Sequence, residues 1–259
     1  IRERKVTYME VVPTILFSIL NTQYDYYNVE YIHDFKFMGC GSAPLPIASQ
    51  KKIYELYNIK VANLYGLSET GPTHFDNPFE DNWEPGSIGY PLDVNEVKIL
   101  SDDGKDVDVG VHGEIVIKGK NVFIGYYNNN KEYKKVVKEG YFFTGDIGYM
   151  DRDGKYYYVD RKKDLIIKGG VNIYPGEIDE VIHMIDAVKE VITVGVSDHY
   201  LGEKIISYVV LKDNKSLEET KLRDFVLNEL GDFKCPDNFI FINDLPKGPS
   251  GKLLRRQLK

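Results

Sequence analysis

The spacing of apolar residues changes several times along the chain, and each change predicts an element. Ile15, Leu16, Ile19 and Leu20 recur at helical spacing behind Pro13, which predicts a helix over residues 11–20. Residues 34–38 read as a short strand entering the loop Gly39-Cys40-Gly41-Ser42-Ala43-Pro44. A helix over 46–57 then presents Ile53, Leu56 and Tyr57 on one face, and 60–65 is a further strand. Strand, glycine loop, helix and strand make a βαβ unit, whose loops lie where α/β folds place ligands. From Trp83 to Arg161 the texture becomes short alternating runs, at 96–100, 113–118, 140–146 and 155–159. Turn residues separate them, among them Asp102-Asp103-Gly104 and Asp153-Gly154, which predicts a small antiparallel, β-barrel-like subdomain. Farther on, Pro175 opens a helix with Ile178, Val181, Ile182 and Ile185 on one side, and strands follow at 191–196 and 205–211. Ser216 and Glu219 are spaced as a capping box for a last helix, which carries Leu222, Phe225, Val226 and Leu230 and stops at Gly231.

These runs predict an α/β architecture in three parts. Residues 1–82 form an α/β region, 83–161 the β-rich subdomain, and 162–259 a small α+β domain. The last boundary comes from Arg161-Lys162-Lys163-Asp164, four charges between two apolar runs. Charges that dense are too costly to bury unpaired, so the run reads as a solvated seam. The Gly169-Gly170 pair just after it suggests backbone that something approaches closely.

Composition narrows the partners. A net charge of −7 and a pI near 5.4 argue against nucleic acid, which calls for a basic surface. Cys40 and Cys235 stand too far apart for metal-ligand spacing, which fits a reducing, cytoplasmic compartment. No apolar run is long enough for a transmembrane helix.

Two generic nucleotide motifs fail. The Gly39-x-Gly41 turn lacks the third glycine of a dinucleotide fingerprint, and no acidic residue stands at the end of strand 60–65. The Gly251-Lys252 tail has Pro246 and Leu253 where a phosphate loop needs glycine and a hydroxyl. Asp146 and Arg161 are more informative. If Asp153-Gly154 is a two-residue hairpin turn, counting outward sets Asp146 opposite Arg161. The pair is then either a cross-strand salt bridge or a carboxylate and guanidinium that share the hydroxyls of a sugar.

Read together, these stretches resemble the adenylate-forming superfamily of acyl-CoA synthetases, peptide-synthetase adenylation domains and beetle luciferases. Gly41-Ser42-Ala43-Pro44-Leu45-Pro46 is similar to its adenine loop, and Asn63-Leu64-Tyr65-Gly66-Leu67-Ser68-Glu69-Thr70 to its adenine- and magnesium-binding segment. Gly113-Glu114-Ile115 through Gly125-Tyr126-Tyr127 matches a further stretch. Tyr141-Phe142-Phe143-Thr144-Gly145-Asp146, Asp160-Arg161-Lys162-Lys163-Asp164 and Leu245-Pro246-Lys247-Gly248-Pro249-Ser250-Gly251-Lys252 follow in family order. The segment from Arg161 to Ile178 most resembles fatty-acyl and medium-chain acyl-CoA ligases.

The resemblance implies an enzyme using ATP, Mg²⁺ and coenzyme A, which forms an acyl-adenylate from a carboxylic acid and passes the acyl group to the thiol. Tyr65 would stack on adenine beside Gly66, with the backbone of Gly41, Ser42 and Ala43 lining the ring. Ser68 would touch the α-phosphate and Glu69 would hold Mg²⁺. Asp146 and Arg161 would take the ribose hydroxyls, leaving AMP as the displaced product. Lys252 would stabilise charge during adenylation. The small domain would then turn about Lys163 to present Gly169, Gly170 and Asn172 to the thiol. Met38, Gly39, Gly71 and His74 are candidates for part of the acid pocket. The family's Ser/Thr/Gly-rich phosphate loop has no counterpart here. The chain is therefore expected to be the C-terminal half of such a ligase, inactive alone, with a surface for the other half or for self-association. The alternatives are an adenylation enzyme that loads a carrier protein and a truncated, non-catalytic nucleotide-binding module.

Overall fold

The computed structural model describes residues 4–21, 34–248 and 253–259, and the chain divides into two units, Ile1–Lys162 and Lys163–Lys259. The division falls inside the run of four charges, although not all of these are solvated. Arg161 and Lys162 are both tied to acidic side chains of the first unit.

The first unit begins with β1 (Tyr8–Val11), α1 (Pro13–Asn21), β2 (Phe37–Cys40), α2 (Ile47–Tyr57) and β3 (Lys60–Leu67), the three strands running parallel. Leu16, Met38, Ile53 and Val61 form the core between helices and sheet. Within α2 the buried side chains are Gln50, Ile53 and Tyr57, while Leu56, expected on the inner face, is 48% exposed. At about 100° per residue, Gln50 and Tyr57 lie to one side of Ile53 and Leu56 to the other. The buried arc therefore takes in the glutamine and leaves the leucine out.

The sheet continues through β4 (Gly71–Phe75), β5 (Ser87–Pro91), β6 (Asn95–Leu100) and β7 (Gly113–Gly119). The helix α3 (Asn130–Val136) and then β8 (Val137–Lys138), β9 (Tyr141–Met150) and β10 (Tyr156–Arg161) complete it. The order β1-β2-β3-β4-β5-β10-β9-β7-β6 is a single open path, with β8 on β9. A barrel-like subdomain was expected here, but among the described residues no barrel closes. The physical reason is β5, which pairs with β4 on one side and β10 on the other and so extends the first sheet.

The hairpin from β9 to β10 carries a register surprise. Its turn holds three residues, since Asp151 N–H bonds Lys155 O (2.9 Å) and Tyr156 lies opposite Met150. That alone would set Asp146 opposite Asp160. A bulge between Tyr158 and Asp160 shifts the pairing by one and restores Asp146 opposite Arg161.

In the second unit, β11 (Ile166–Lys168) and β12 (Val171–Ile173) form a hairpin, followed by α4 (Pro175–His183), β13 (Val188–Asp198), β14 (Gly202–Leu211), α5 (Glu219–Leu230) and β15 (Asn238–Phe241). Alternation in β13 and β14 sends Val191, Ile205 and Val209 to α4 and α5. Ile192, Val194, Ile206 and Val210 face the opposite way and are covered by Leu245, Leu253 and Leu258. The expected capping box does not form: α5 starts at Glu219 with Glu218 as a cap that makes no side-chain bond. Leu217 and Leu222 instead enter the same core on either side of that start, as in a hydrophobic staple.

Gly169 and Gly170 connect Lys168 to its partner Val171 as a two-residue turn with φ of +57° and +81°. A Cβ on Gly170 would meet nothing within 4 Å, and one on Gly169 nothing nearer than 3.9 Å. Left-handed backbone is what requires glycine here, and no described protein atom crowds the turn. Gly170→Ala is expected to cost about 1–2 kcal/mol, the penalty of a Cβ in this region, and Gly170→Asn less. Denaturant midpoints of the two variants check the order. An alanine that unfolds no earlier than asparagine would sink it.

Candidate functional site

The C-terminal half of β3 supports most of the candidate residues. Gly41 follows β2, donates its N–H to Val11 O (3.3 Å), and sits so that a Cβ would stand 3.2 Å from Leu64 O. The loop of Gly41, Ser42 and Ala43 therefore begins against β3, one residue before Tyr65, and Ser42 adopts a positive φ of +73°. At Gly66 a Cβ would lie 2.1 Å from Gly71 O, so β3 and β4 meet there only because no side chain intervenes.

Ser68 and Glu69 form the tip of the β3–β4 turn. Thr70 ties it, since its hydroxyl accepts from Leu67 N–H (3.1 Å) and donates to Gly71 O (2.8 Å). A second segment clamps the tip from outside. Phe123 N–H bonds Glu69 O (2.7 Å), Asn121 Nδ2 bonds Thr70 O (2.8 Å), and Tyr126 donates its hydroxyl to Glu69 Oε1 (2.9 Å). Burial and the Glu69 carboxylate push the Tyr126 hydroxyl up to about 12, so it stays a donor. Glu69 Oε2 has no partner among the described residues, and Ser68 is exposed. Among the described residues no group of three His, Cys, Asp or Glu could hold a metal unaided. One fixed carboxylate with a free oxygen suits Mg²⁺, which takes one or two carboxylates and completes its shell with phosphate and water.

Asp146, Arg161 and Tyr65 come together. Asp146 is 1% exposed, with Arg161 Nε 2.7 Å from its Oδ1 and the Tyr65 hydroxyl donating to Oδ2 at 2.7 Å. Arg161 Nη1 also bonds Thr144 O (3.1 Å), which fixes the guanidinium plane. Burial first, and the Asp146 charge second, raise the Tyr65 hydroxyl well above its usual range. A buried carboxylate with a guanidinium on one oxygen and a phenol on the other is an acceptor that a vicinal diol could share. Pattern reading found the three main residues but missed Tyr126, Asn121 and Thr144. All three lie inside the matched stretches, but their bonds to Glu69, Thr70, Ile115 and Arg161 depend on distant segments that residue type does not name.

The other candidates lie in the second unit. Gly169 N–H bonds Leu201 O (2.7 Å), and Asn172 is exposed on β12, opposite Ile167. Lys252 lies outside the described residues. On either side of it, Lys247 and Leu253 pair as a β-bridge, and Arg255 bonds Thr193 O and Asp179 Oδ2, each at 2.6 Å. Met38, a pocket candidate, is buried in the helix-covered core instead.

His74 lies fully buried beside Tyr65, its ring 5.3 Å from the tyrosine ring and 4.9 Å from Tyr156. Its Nδ1 meets the Thr73 hydroxyl (3.0 Å), and burial lowers its pKa to about 3. Nearby Asp76 is raised to about 6, chiefly by burial, with Lys155 opposing.

Two family models match this chain, AMP-binding enzyme over residues 1–127 and AMP-binding enzyme C-terminal domain over 177–252. A long-chain-fatty-acid–CoA ligase of Bacillus subtilis is 37% identical over 100% of this chain and 46% of its own length. A sulfoacetate–CoA ligase of Cupriavidus necator is 38% identical over 97% and 49%. ATP-bound MatB from Rhodopseudomonas palustris superposes with a TM-score of 0.92 at 30% identity, covering 98% of this chain and 50% of that one. The Bacillus subtilis o-succinylbenzoate CoA synthetase, in complex with its acyl-adenylate, gives 0.84 at 33% identity, over 99% and 51%. The chain spans about half the length of the curated relatives it matches. Among the described residues, no helix is long and apolar enough to cross a membrane.

A histidine whose folded pKa is depressed binds its proton more readily when unfolded, so stability falls as pH drops from 6.5 toward about 3. The raised Asp76 acts in the opposite sense, removing stability as pH rises from 3.8 to about 6. Wild type should therefore lose stability relative to His74→Leu steadily as pH falls through the histidine window. Trp83, the only tryptophan and part of the first unit, reports urea unfolding there. A difference that stays constant with pH refutes the assignment.

Proposed function

Because this chain belongs to the AMP-binding enzyme family, we propose that the protein it comes from is an ATP-dependent acid–thiol ligase, joining a carboxylic acid to coenzyme A through an acyl-adenylate. The observation that carries this reading is the buried Asp146 carboxylate shared by Arg161 and Tyr65. A chain that needed only a structural ion pair would have little reason to set a phenol from a different strand on the remaining oxygen.

In the first half-reaction, a carboxylate oxygen of the acid bonds to the α-phosphorus of ATP, and the bond to the pyrophosphate oxygen breaks. Positioning and charge neutralisation carry such a step. Tyr65 would hold the adenine face, and Gly41, Ser42, Ala43 and Gly66 would frame its edge with backbone. Asp146 and Arg161 would hold the ribose, so that the α-phosphate falls near Ser68. Glu69, kept in place by Tyr126, would hold Mg²⁺, which neutralises phosphate charge when bound. Lys252 would bring a mobile cation to the developing charge. In the second half-reaction, the thiolate of coenzyme A bonds to the acyl carbon and AMP departs. Gly169, Gly170 and Asn172 would border the thiol path after the second unit turns about Lys163, a change of the hinge type. We take the acid to be a fatty acid, by analogy with the Bacillus relative, and the compartment to be cytoplasmic, in keeping with two buried free thiols.

Calorimetric titration of the 259-residue chain with AMP tests the site. Binding is expected, and Asp146→Ala should weaken it at least tenfold. Equal affinity in wild type and variant would remove Asp146 from the nucleotide site. With the protein that contains this chain, ATP-dependent thioester formation on coenzyme A, rather than on a carrier protein, tests the acceptor.

A further inference from the structure

Glu114 is the second residue of β7 and is buried, 9% exposed. It stands where the pairing of β7 with β9 slips: Glu114 faces Ile147, but Val116 faces Phe143. Across that gap, Thr144, Gly145 and Asp146 of β9 lie opposite the single residue Ile115. The candidate ribose carboxylate thus sits in a bulge of two extra residues, with Gly145 at a φ of +70°. Thr144 pins one side, its hydroxyl donating to Ile115 O (2.6 Å) and accepting from Asp146 N–H (3.0 Å).

Glu114 pins the rest. Its Oε1 accepts from Gly145 N–H (3.1 Å), and its Oε2 accepts from Lys162 Nζ (2.9 Å). Gly145 directly precedes Asp146, and Lys162 directly follows Arg161. A single carboxylate therefore holds the backbone neighbour of one member of the pair and the side-chain neighbour of the other. Asp102 Oδ1, 2.9 Å from Lys162 Nζ, braces the same ammonium from outside. Burying a carboxylate is unfavourable against an apolar side chain of similar size, even when it is well paired. Its placement here is better explained by geometry than by stability.

We propose that Glu114 is a positioning residue for sugar recognition, setting the spacing of Gly145 and Lys162 and through them the Asp146–Arg161 pair. The inference rests on the nucleotide reading of that pair. It assigns Glu114 no contact with the ligand.

The test compares AMP with 2′,3′-dideoxy-AMP by calorimetry on the 259-residue chain and on Glu114→Ala, Glu114→Gln and Lys162→Met. Wild type should prefer AMP, because only AMP offers hydroxyls to Asp146 and Arg161. That preference should fall at least fivefold in Glu114→Ala. It should fall at least twofold in Glu114→Gln, which can still accept from Gly145, and in Lys162→Met, which loses the other arm. A purely structural role would lower the unfolding midpoint and leave the AMP to dideoxy-AMP ratio alone, and that result overturns the proposal. Glu114→Gln keeps the shape of the side chain, so it carries the test if the alanine variant does not fold. If wild type binds neither nucleotide, or both equally, the ribose reading of Asp146 and Arg161 fails and this inference with it. If wild type discriminates and all three variants discriminate as well, only the role of Glu114 fails.

Discussion

A carboxylate almost fully withdrawn from water, Asp146, is the constraint around which the first unit is arranged. Left alone, such a charge would take up a proton or unfold its surroundings, so each oxygen needs a donor of its own. Arg161 comes from the adjacent strand β10, and Tyr65 arrives from β3, 81 residues earlier in the chain. To bring them within bonding distance the sheet breaks its regular pairing twice, between Tyr158 and Asp160 on one side of β9 and between Glu114 and Val116 on the other. Bulges of this kind re-aim side chains at the cost of ladder hydrogen bonds, and side-chain bonds from Thr144 and Glu114 replace those lost here.

The same logic extends outward to Glu69. Its turn is closed by Thr70, backed by the bare backbone of Gly66, and clamped by residues 121–126. The tip presents one constrained carboxylate with a free oxygen and one exposed hydroxyl. In the second unit, the sheet is covered on both faces, by helices on one and by the chain's last segment on the other. Half-buried ion pairs of Lys247 with Glu190 and of Arg255 with Asp179 fasten that last segment. The Gly169-Gly170 hairpin projects from the same sheet, and its conformation comes from the turn itself rather than from a neighbour pressing on it.

Much of this was legible in residue order because it depends on local periodicity and local chemistry. The helical spacing behind Pro13 and Pro175, the parallel βαβ unit, the stop at Gly231 and the family motifs each occupy a continuous stretch. The opposition of Asp146 and Arg161 could also be read, though by a count in which two departures cancelled. The turn is one residue longer than assumed, and a bulge takes that residue back. Expectations failed where a distant partner decides the outcome. Leu56 lost its buried place to Gln50, which bonds Leu45 O and Gly86 N–H at a site that only the packed loops create. Ser216 does not cap α5, which starts at Glu219 with Leu217 packed against the core. The barrel-like subdomain became part of a longer sheet because β5 found partners on both sides.

What residue order alone determined, then, was the family, the succession of elements and the identity of the chemical groups, since each is written in a short stretch of chain. Tertiary structure decided which of those groups meet. The Tyr65 hydroxyl on Asp146, the Tyr126 hydroxyl on Glu69 and the double grip of Glu114 all join residues dozens of positions apart. Such contacts depend on strand register and on where the register slips. Pairwise preferences between side chains are too weak to announce that in advance, and only the assembled sheet, with its register shifts in place, selects it.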